Sequence, residues 1–388
     1  MNRQLKPSIP QFDVIVTGGG FMGASSAFFL AKRGLKVLLL ERDRIGQYAS
    51  GVNFGNVRRQ GRHLLQLELA NRSRRLWNQL PELIGDDLEF IPSGHMRICY
   101  ETSRIEALED YANAPEAKEL GLEILTGEKL RQRFPYLGPE VVAGSYAPYD
   151  GHANPRLAAP AFARAAKREG AVIMENTEVR LIEKTPSGFS VLTKEGVEYR
   201  AQQLLVSAGA WGEKLSAQMG EPIPLYTRGP QMSVTEPLPY RFKTVIGVSS
   251  STEEEILYFR QIPRGNIIIG GCHRSLPDME KRTAQFEPKA LIYQMQQLHR
   301  VVPQIGNIHI IRSWSGIESY LPDSLPVMGP SSTTEGLYYA FGFCGHGFQL
   351  GPAVGDVMAE LIATGSTDTL IEPFDIKRFT RKTIKRSA

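Results

Sequence analysis

The chain has 388 residues, enough for two to three domains at about 150 residues each, and its 45 basic and 41 acidic side chains leave a net charge of +4. That balance argues against a nucleic-acid or membrane-surface protein, and a composition 42% hydrophobic and 22% charged argues against disorder. No run approaches the roughly eighteen apolar residues of a membrane span, and the polar start MNRQLKPSIPQFD is unlike a secretory signal. Cys99, Cys272 and Cys344 stand too far apart for a disulfide framework, a zinc site or an iron–sulfur cluster. A reducing, cytoplasmic setting and no metal are expected.

Phe12 to Thr17 is a short apolar run rich in β-branched residues and predicts a buried strand. Gly18-Gly19-Gly20-Phe21-Met22-Gly23 follows, then a helical stretch from Ala24 to Arg33 that stops at Gly34. Val37 to Leu40 predicts a second strand, closed by Glu41, eighteen residues after Gly23. Strand, GxGxxG, helix, strand and acid in this register form a dinucleotide-binding unit. Gly18 permits the tight turn, Gly20 lets backbone approach a pyrophosphate, and Gly23 lets the helix pack close to the sheet. The helix start, with Phe21 and Met22, offers free amides to phosphates, and Glu41 accepts from ribose hydroxyls with Arg42 beside it. The unit alone does not choose between NAD and FAD.

Further along, Arg156 to Glu169 predicts a helix stopping at Gly170, and Ala171 to Met174 and Thr177 to Glu183 predict strands. Leu204 to Ser207 reads as a buried strand running into Ala208-Gly209-Ala210-Trp211, small residues that admit a bound cofactor. Gln231 to Thr235, Ile256 to Gln261 and Asn266 to Gly271 have the alternation of an antiparallel layer. Leu337 to Phe341 is a last strand, followed by a glycine-rich loop and a helix expected from about Pro352 to Gly365. In a flavoprotein that second helix start would face the pyrimidine end of the ring. The basic tail, Lys377 to Lys385, reads as a solvated end.

The opening unit, Ala49-Ser50-Gly51-Val52-Asn53-Phe54-Gly55, the Ser207–Trp211 stretch, Leu321 to Gly329 and the segment GHGFQLGPAVG occur in the order found in FAD-dependent amine oxidoreductases. Over nearly its whole length the chain resembles the family of D-amino-acid oxidase, glycine oxidase, sarcosine oxidase and the flavin (beta) subunits of amino-acid or opine dehydrogenases. The resemblance implies an α/β fold, α+β overall, with a Rossmann-like FAD-binding domain interleaved with an antiparallel-sheet substrate domain. The first would comprise residues 1–90, 150–225 and 322–388, and the second 91–149 and 226–321. Ser50, Gly51, Asn56, Val179, Ala208, Gly209, Trp211, Gly345, His346, Gly347, Phe348 and Gln349 would join the opening unit in holding FAD. Arg58, Arg59 and Arg62 would lie near the flavin ring, Arg58 foremost, although surface charges on a following helix would read the same way. His346, Tyr258 and Arg260 are further catalytic candidates, and His152, His273, Glu318 and Tyr320 also belong to the substrate layer. Cys344 reads as a small buried residue.

The departures from the family pattern are equally specific. An arginine that commonly grips the substrate carboxylate has Ile317-Glu318-Ser319-Tyr320 in its place, and a lysine after GHGF is replaced by Gln349. The grip therefore falls to Arg58, Arg228 or Arg260. The cysteine that tethers flavin in some relatives has no counterpart, so FAD is expected to be non-covalent. The lysine that aids oxygen reduction has Ile267-Ile268-Ile269 in its region, and a dehydrogenase is expected ahead of an oxidase. The resemblance implies oxidation of the C–N bond of an amino acid or N-substituted amino acid of sarcosine, proline, D-amino-acid or opine type. A partner subunit carrying further redox centres is expected. The alternatives are a 2-hydroxy-acid or polyol dehydrogenase of the same fold, or a flavin electron-transfer subunit of a heteromeric dehydrogenase.

Overall fold

The computed structural model describes residues 9–379. Most of the basic tail lies outside them. Two large sheets carry the structure. In the first, the strand Gln11–Thr17 lies at the centre, parallel to Glu198–Val206 on one side and Val37–Leu40 on the other. Val172–Met174 extends it beyond Val37–Leu40, and Leu337–Phe341 extends it beyond Glu198–Val206, both parallel. Val14, Ile15 and Val16 have no exposed surface, because a parallel layer is covered on both faces. The strands Gly188–Thr193 and Val179–Thr185 form an antiparallel flap on the same sheet.

One face of this sheet is covered by the helices Phe21–Lys32, Leu67–Asn78, Pro155–Arg168 and Gly347–Thr364. Ala24 to Ala31 are all buried, so the first helix shows no polar face. It packs against the last helix at Gly355, where a Cβ would lie 2.5 Å from Ser25. Phe21, Phe162 and Trp77 fill the space beside that contact. The last helix starts at Gly347, five residues before the expected Pro352, which lies inside it. Proline there costs little, since only one early helix bond is lost.

The second sheet has nine strands among the described residues, eight in a row from the edge strand Ile310–Ser315 through Tyr226–Pro237, Asn266–Ser275, Leu257–Gln261, Val245–Val248, His95–Cys99 and Ala143–Ala147 to Glu123–Thr126, and a ninth, Glu318–Tyr320, paired with the start of Tyr226–Pro237. It is antiparallel except for one pair, Val245–Val248 against His95–Cys99. Parallel pairing needs a long crossover, and here the excursion of the chain through the first sheet supplies it. Asn56–Val57 pairs with Gly151–His152 where the chain passes between the two layers.

Gly23 joins helix and sheet most tightly. A Cβ there would lie 1.9 Å from the Gly18 carbonyl oxygen and 2.6 Å from Ser207 Oγ, both part of the sheet edge. Gly23→Val is expected to lower stability by about 2 kcal/mol or more through forced separation of these elements. Thermal unfolding checks this, and an unchanged melting temperature would contradict the packing described.

Candidate active site

A cavity of about 730 Å³ runs between the two sheets, from Glu41 and Val179 at one end to Arg58 and His346 at the other. At the first end the Glu41 carboxylate is buried and fixed by two amides. Gly19 N donates to Oε2 (2.6 Å) and Asp43 N to Oε1 (2.8 Å). Burial raises its pKa, and the two amide bonds work in the opposite direction. Arg42 stacks over the Trp211 ring at 4.2 Å, with Tyr48 alongside. Tyr48 donates to Asp43 (2.7 Å), which also receives Arg282 from the second layer (2.8 Å).

In the middle the wall is Gly18, Gly20, Phe21 and Met22 with Ser50. Gly20 caps the first helix without any side-chain bond, and Phe21 N donates to Ser50 Oγ at 2.8 Å. The last helix also starts at the cavity, at Gly347, with no side-chain cap on its amides.

The far end is strongly cationic. Arg58, Arg62, Arg97 and Arg274 line it together with His95, Tyr258, Met232, Tyr320 and His346. Arg58 Nη1 donates to the Gln60 carbonyl. Arg62 donates to the carbonyls of Arg58 and His346, both at 2.8 Å, and so ties the glycine loop to the arginine loop. Burial lowers the pKa of Arg58 to about 10 and of Arg62 to about 9, and neighbouring arginines add to both shifts. Both stay charged at neutral pH. His346 is held neutral, first by burial and then by all four guanidiniums. Tyr258 is pushed up to about 12 by burial.

The other expected residues separate clearly. Gly345, Gly347, Phe348, Asn56, Ala208 and Gly209 lie on the cavity wall as well. Gly23 and Gly51 do not. Both serve close packing, and a Cβ on Gly51 would lie 2.3 Å from the Gly46 carbonyl. Gln349 lines the cavity but its Nε2 donates to Ala70 in a neighbouring helix (2.8 Å). Arg260, expected among the catalytic groups, does not reach the cavity. It lies behind Phe54, donating to the Phe54 carbonyl (2.9 Å) and bonded to His152 Nδ1 (3.0 Å). Arg228 donates to Thr227 (2.9 Å) and His273 sits between Glu253 and Glu254, both away from the wall. Arg59 and Arg62 are buried rather than surface charges, and Arg59 is paired with the fully buried Asp150. Arg97 and Arg274 were not anticipated. Arg97 is the lone charge inside the strand His95–Cys99, and Arg274 lies on a strand that runs four residues past the expected end at Gly271.

The wall residues fit FAD. Two uncapped helix starts suit its phosphates and ring, and Asn56 Oδ1 and His346 Nδ1 are buried on the wall without hydrogen-bond partners. The family model for FAD dependent oxidoreductases matches residues 13–361. The chain belongs to this DAO family of FAD-dependent oxidoreductases. FAD is its cofactor, and it is an enzyme of oxidoreductase type. It is 27% identical over 381 residues to an opine oxidase subunit of Rhizobium meliloti, covering 95% of this chain and 98% of that one. It is 29% identical over 380 residues to glycine oxidase of Geobacillus kaustophilus, covering 95% and 97%. Among solved structures it is similar to L-proline dehydrogenase from P. horikoshii, with a TM-score of 0.88 at 27% identity over 97% of this chain and 99% of that one. No helix of the described residues is long and apolar enough to cross a membrane.

Three buried histidines of this flavoenzyme, His95, His152 and His346, have pKa values well below 6.5, with burial the leading cause. Unfolded, they take protons near pH 6.5 while the native state does not, so their stability is complete above that value and lost below it. Each should remove up to about 1.4 kcal/mol per pH unit below about 6.5. Urea midpoints at pH 7.5 and 5.5 measure this, and an unchanged or higher midpoint at pH 5.5 would show the histidines charged in the native state.

Proposed function

We propose that this flavoenzyme oxidises the C–N bond of an amino acid or N-substituted amino acid. The observation that carries the reading is the far end of the cavity, where four guanidiniums converge on the neutral His346. Such a wall attracts a carboxylate and disfavours an ammonium, so a bound amine gives up its extra proton and its nitrogen lone pair becomes available. Arg274, beside Tyr258 and Tyr320, supplies the carboxylate grip that the residues Glu318 and Gln349 do not. Tyr258, protonated throughout the working range, can donate a hydrogen bond but does not remove a proton. FAD supplies the acceptor for the hydride leaving the substrate carbon. The amine proton then departs, the C–N bond becomes an imine, and water hydrolyses it to an oxo product and an amine.

In this reading residues 1–90, 150–225 and 322–388 form the FAD-binding part, and 91–149 and 226–321 the substrate part. FAD is held without a covalent bond, since none of the three cysteines lines the expected tether position and only Cys344 touches the cavity. A partner subunit is favoured by the relative named as a subunit of opine oxidase, and a dehydrogenase by the likeness to L-proline dehydrogenase. The apolar run Ile267-Ile268-Ile269 no longer argues for it, because Arg274 brings a cation to the cavity from the same strand. The unpaired thiols accord with a cytoplasmic location.

An anaerobic screen of D- and L-amino acids, N-alkyl amino acids, prolines and 2-hydroxy acids, read as flavin bleaching, tests the reading. Amino or N-alkyl amino acids should bleach the flavin, and admission of air should restore it more slowly than a dye or quinone does. Bleaching by hydroxy acids alone would overturn C–N oxidation, and reoxidation by air as fast as turnover would make the enzyme an oxidase.

A further inference from the structure

A second cavity, of about 200 Å³, shares no lining residue with the flavin cavity. One wall is the helix Leu67–Asn78, which supplies Asn71, Arg74, Arg75 and Asn78. Positions i, i+3, i+4 and i+7 lie on one helix face. A polar helix face is ordinarily solvated, but here Asn71 and Arg74 are only 7% and 8% exposed. Arg59 enters from the arginine loop, and Glu119 and Tyr149 complete the lining.

The two buried guanidiniums are only partly satisfied. Arg59 is 4% exposed; its Nε donates to Asp150 (3.1 Å) and its Nη1 to Asn71 Oδ1 (3.0 Å). Arg59 Nη2 is buried without a hydrogen-bond partner. Arg74 donates Nε to the Tyr149 carbonyl (2.6 Å) and Nη1 to Asn78 Oδ1, and lies over the Phe90 ring at 4.9 Å. Its Nη2 bonds to no described residue. Burial and then Arg59 lower the pKa of Arg74, with only Asp150 acting the other way. Both asparagines spend their oxygens on these guanidiniums, which leaves each Nδ2 as a further donor. Arg75 is largely exposed and lies 3.6 Å from the equally exposed Glu119. A buried guanidinium nitrogen with no acceptor is costly, and an anion in the cavity would supply one.

We propose that this cavity is a phosphate-binding site, separate from the flavin and independent of the reaction assigned to it. Its ligand is inorganic phosphate or the phosphate group of a small monoester. Arg59 Nη2, Arg74 Nη2 and Arg75 donate to the anion, with the Nδ2 groups of Asn71 and Asn78 beside them. A carboxylate presents two oxygens to this donor set, and a phosphate presents three. Arg59 then meets the phosphate with Nη2 and Asp150 with Nε, so an occupant bears on the charge that holds the arginine loop.

Isothermal titration of inorganic phosphate and of glycerol 3-phosphate into FAD holoenzyme, at constant ionic strength, tests this. Saturable binding of one anion per chain is expected. Arg74→Gln should weaken it at least about tenfold and Arg75→Gln about threefold, in the order of their burial. Glu119→Gln removes the competing acid and should tighten binding about threefold. The last two alter exposed side chains, so their opposite effects remain readable if Arg74→Gln does not fold. Tighter binding of glycerol 3-phosphate would assign a monoester, and equal or weaker binding the free ion; both support the site. No saturable binding, or an affinity indifferent to Arg75→Gln and Glu119→Gln, would overturn the proposal. Binding that those two leave unchanged and Arg274→Met abolishes would place the anion in the flavin cavity instead.

Discussion

A single buried carboxylate organises the substrate end of this flavoenzyme. Asp150 has no exposed surface and accepts from the Arg59 amide (2.8 Å), Arg59 Nε (3.1 Å) and the Gln60 amide (3.2 Å). The loop bearing Arg58 and Arg62 is thereby closed around an anion in the interior. Gln60 in turn donates to the His95 and Ser145 carbonyls of the second sheet, and Arg62 donates to the His346 carbonyl of the last loop. Three parts of the chain, far apart in sequence, thus meet through one charge. Removing one partner of such a pair leaves the other buried and uncompensated, at a cost of about 3–5 kcal/mol. The pair matters here less for stability than for where it holds the neighbouring arginines.

The same charges explain the chemistry. Asp150 is already matched by Arg59, and Glu318 lies near Arg274, so the remaining guanidiniums give the chamber an excess of positive charge. Burial first, and then that excess, hold His346 neutral with its Nδ1 free, so the histidine is no strong base. Oxidation by hydride transfer needs none. The site supplies orientation and field, and the cofactor supplies the electron sink.

Much of this was readable from the sequence because it is local. The strand, glycine turn, helix, strand and acid from Phe12 to Glu41 are determined by neighbours within thirty residues, and the structure places them as read, with Gly23 in its packing role and Glu41 on the cavity wall. The helix from Gly347 was harder, since three glycines in its approach conceal the start and Pro352 suggested a later one. Arg260 misled because it shares a strand face with Tyr258, two residues earlier, but lies past the cavity edge under Phe54. Arg97 and Arg274 could not be placed at all. Each faces the chamber only because non-local pairing sets its strand above the arginine loop, and no spacing along the chain records that. The lone parallel pair in the second sheet has the same origin.

The most direct test of this account is the rate of flavin reduction in Asp150→Asn holoenzyme, measured by anaerobic rapid mixing with the best substrate. The substitution keeps the side chain's shape and removes its charge. FAD should remain bound, because Asp150 does not line the cavity, while the limiting reduction rate falls at least about tenfold as the arginine loop and the His346 loop lose their common anchor. A flavin-loaded Asp150→Asn enzyme that reduces at the unaltered rate would contradict it.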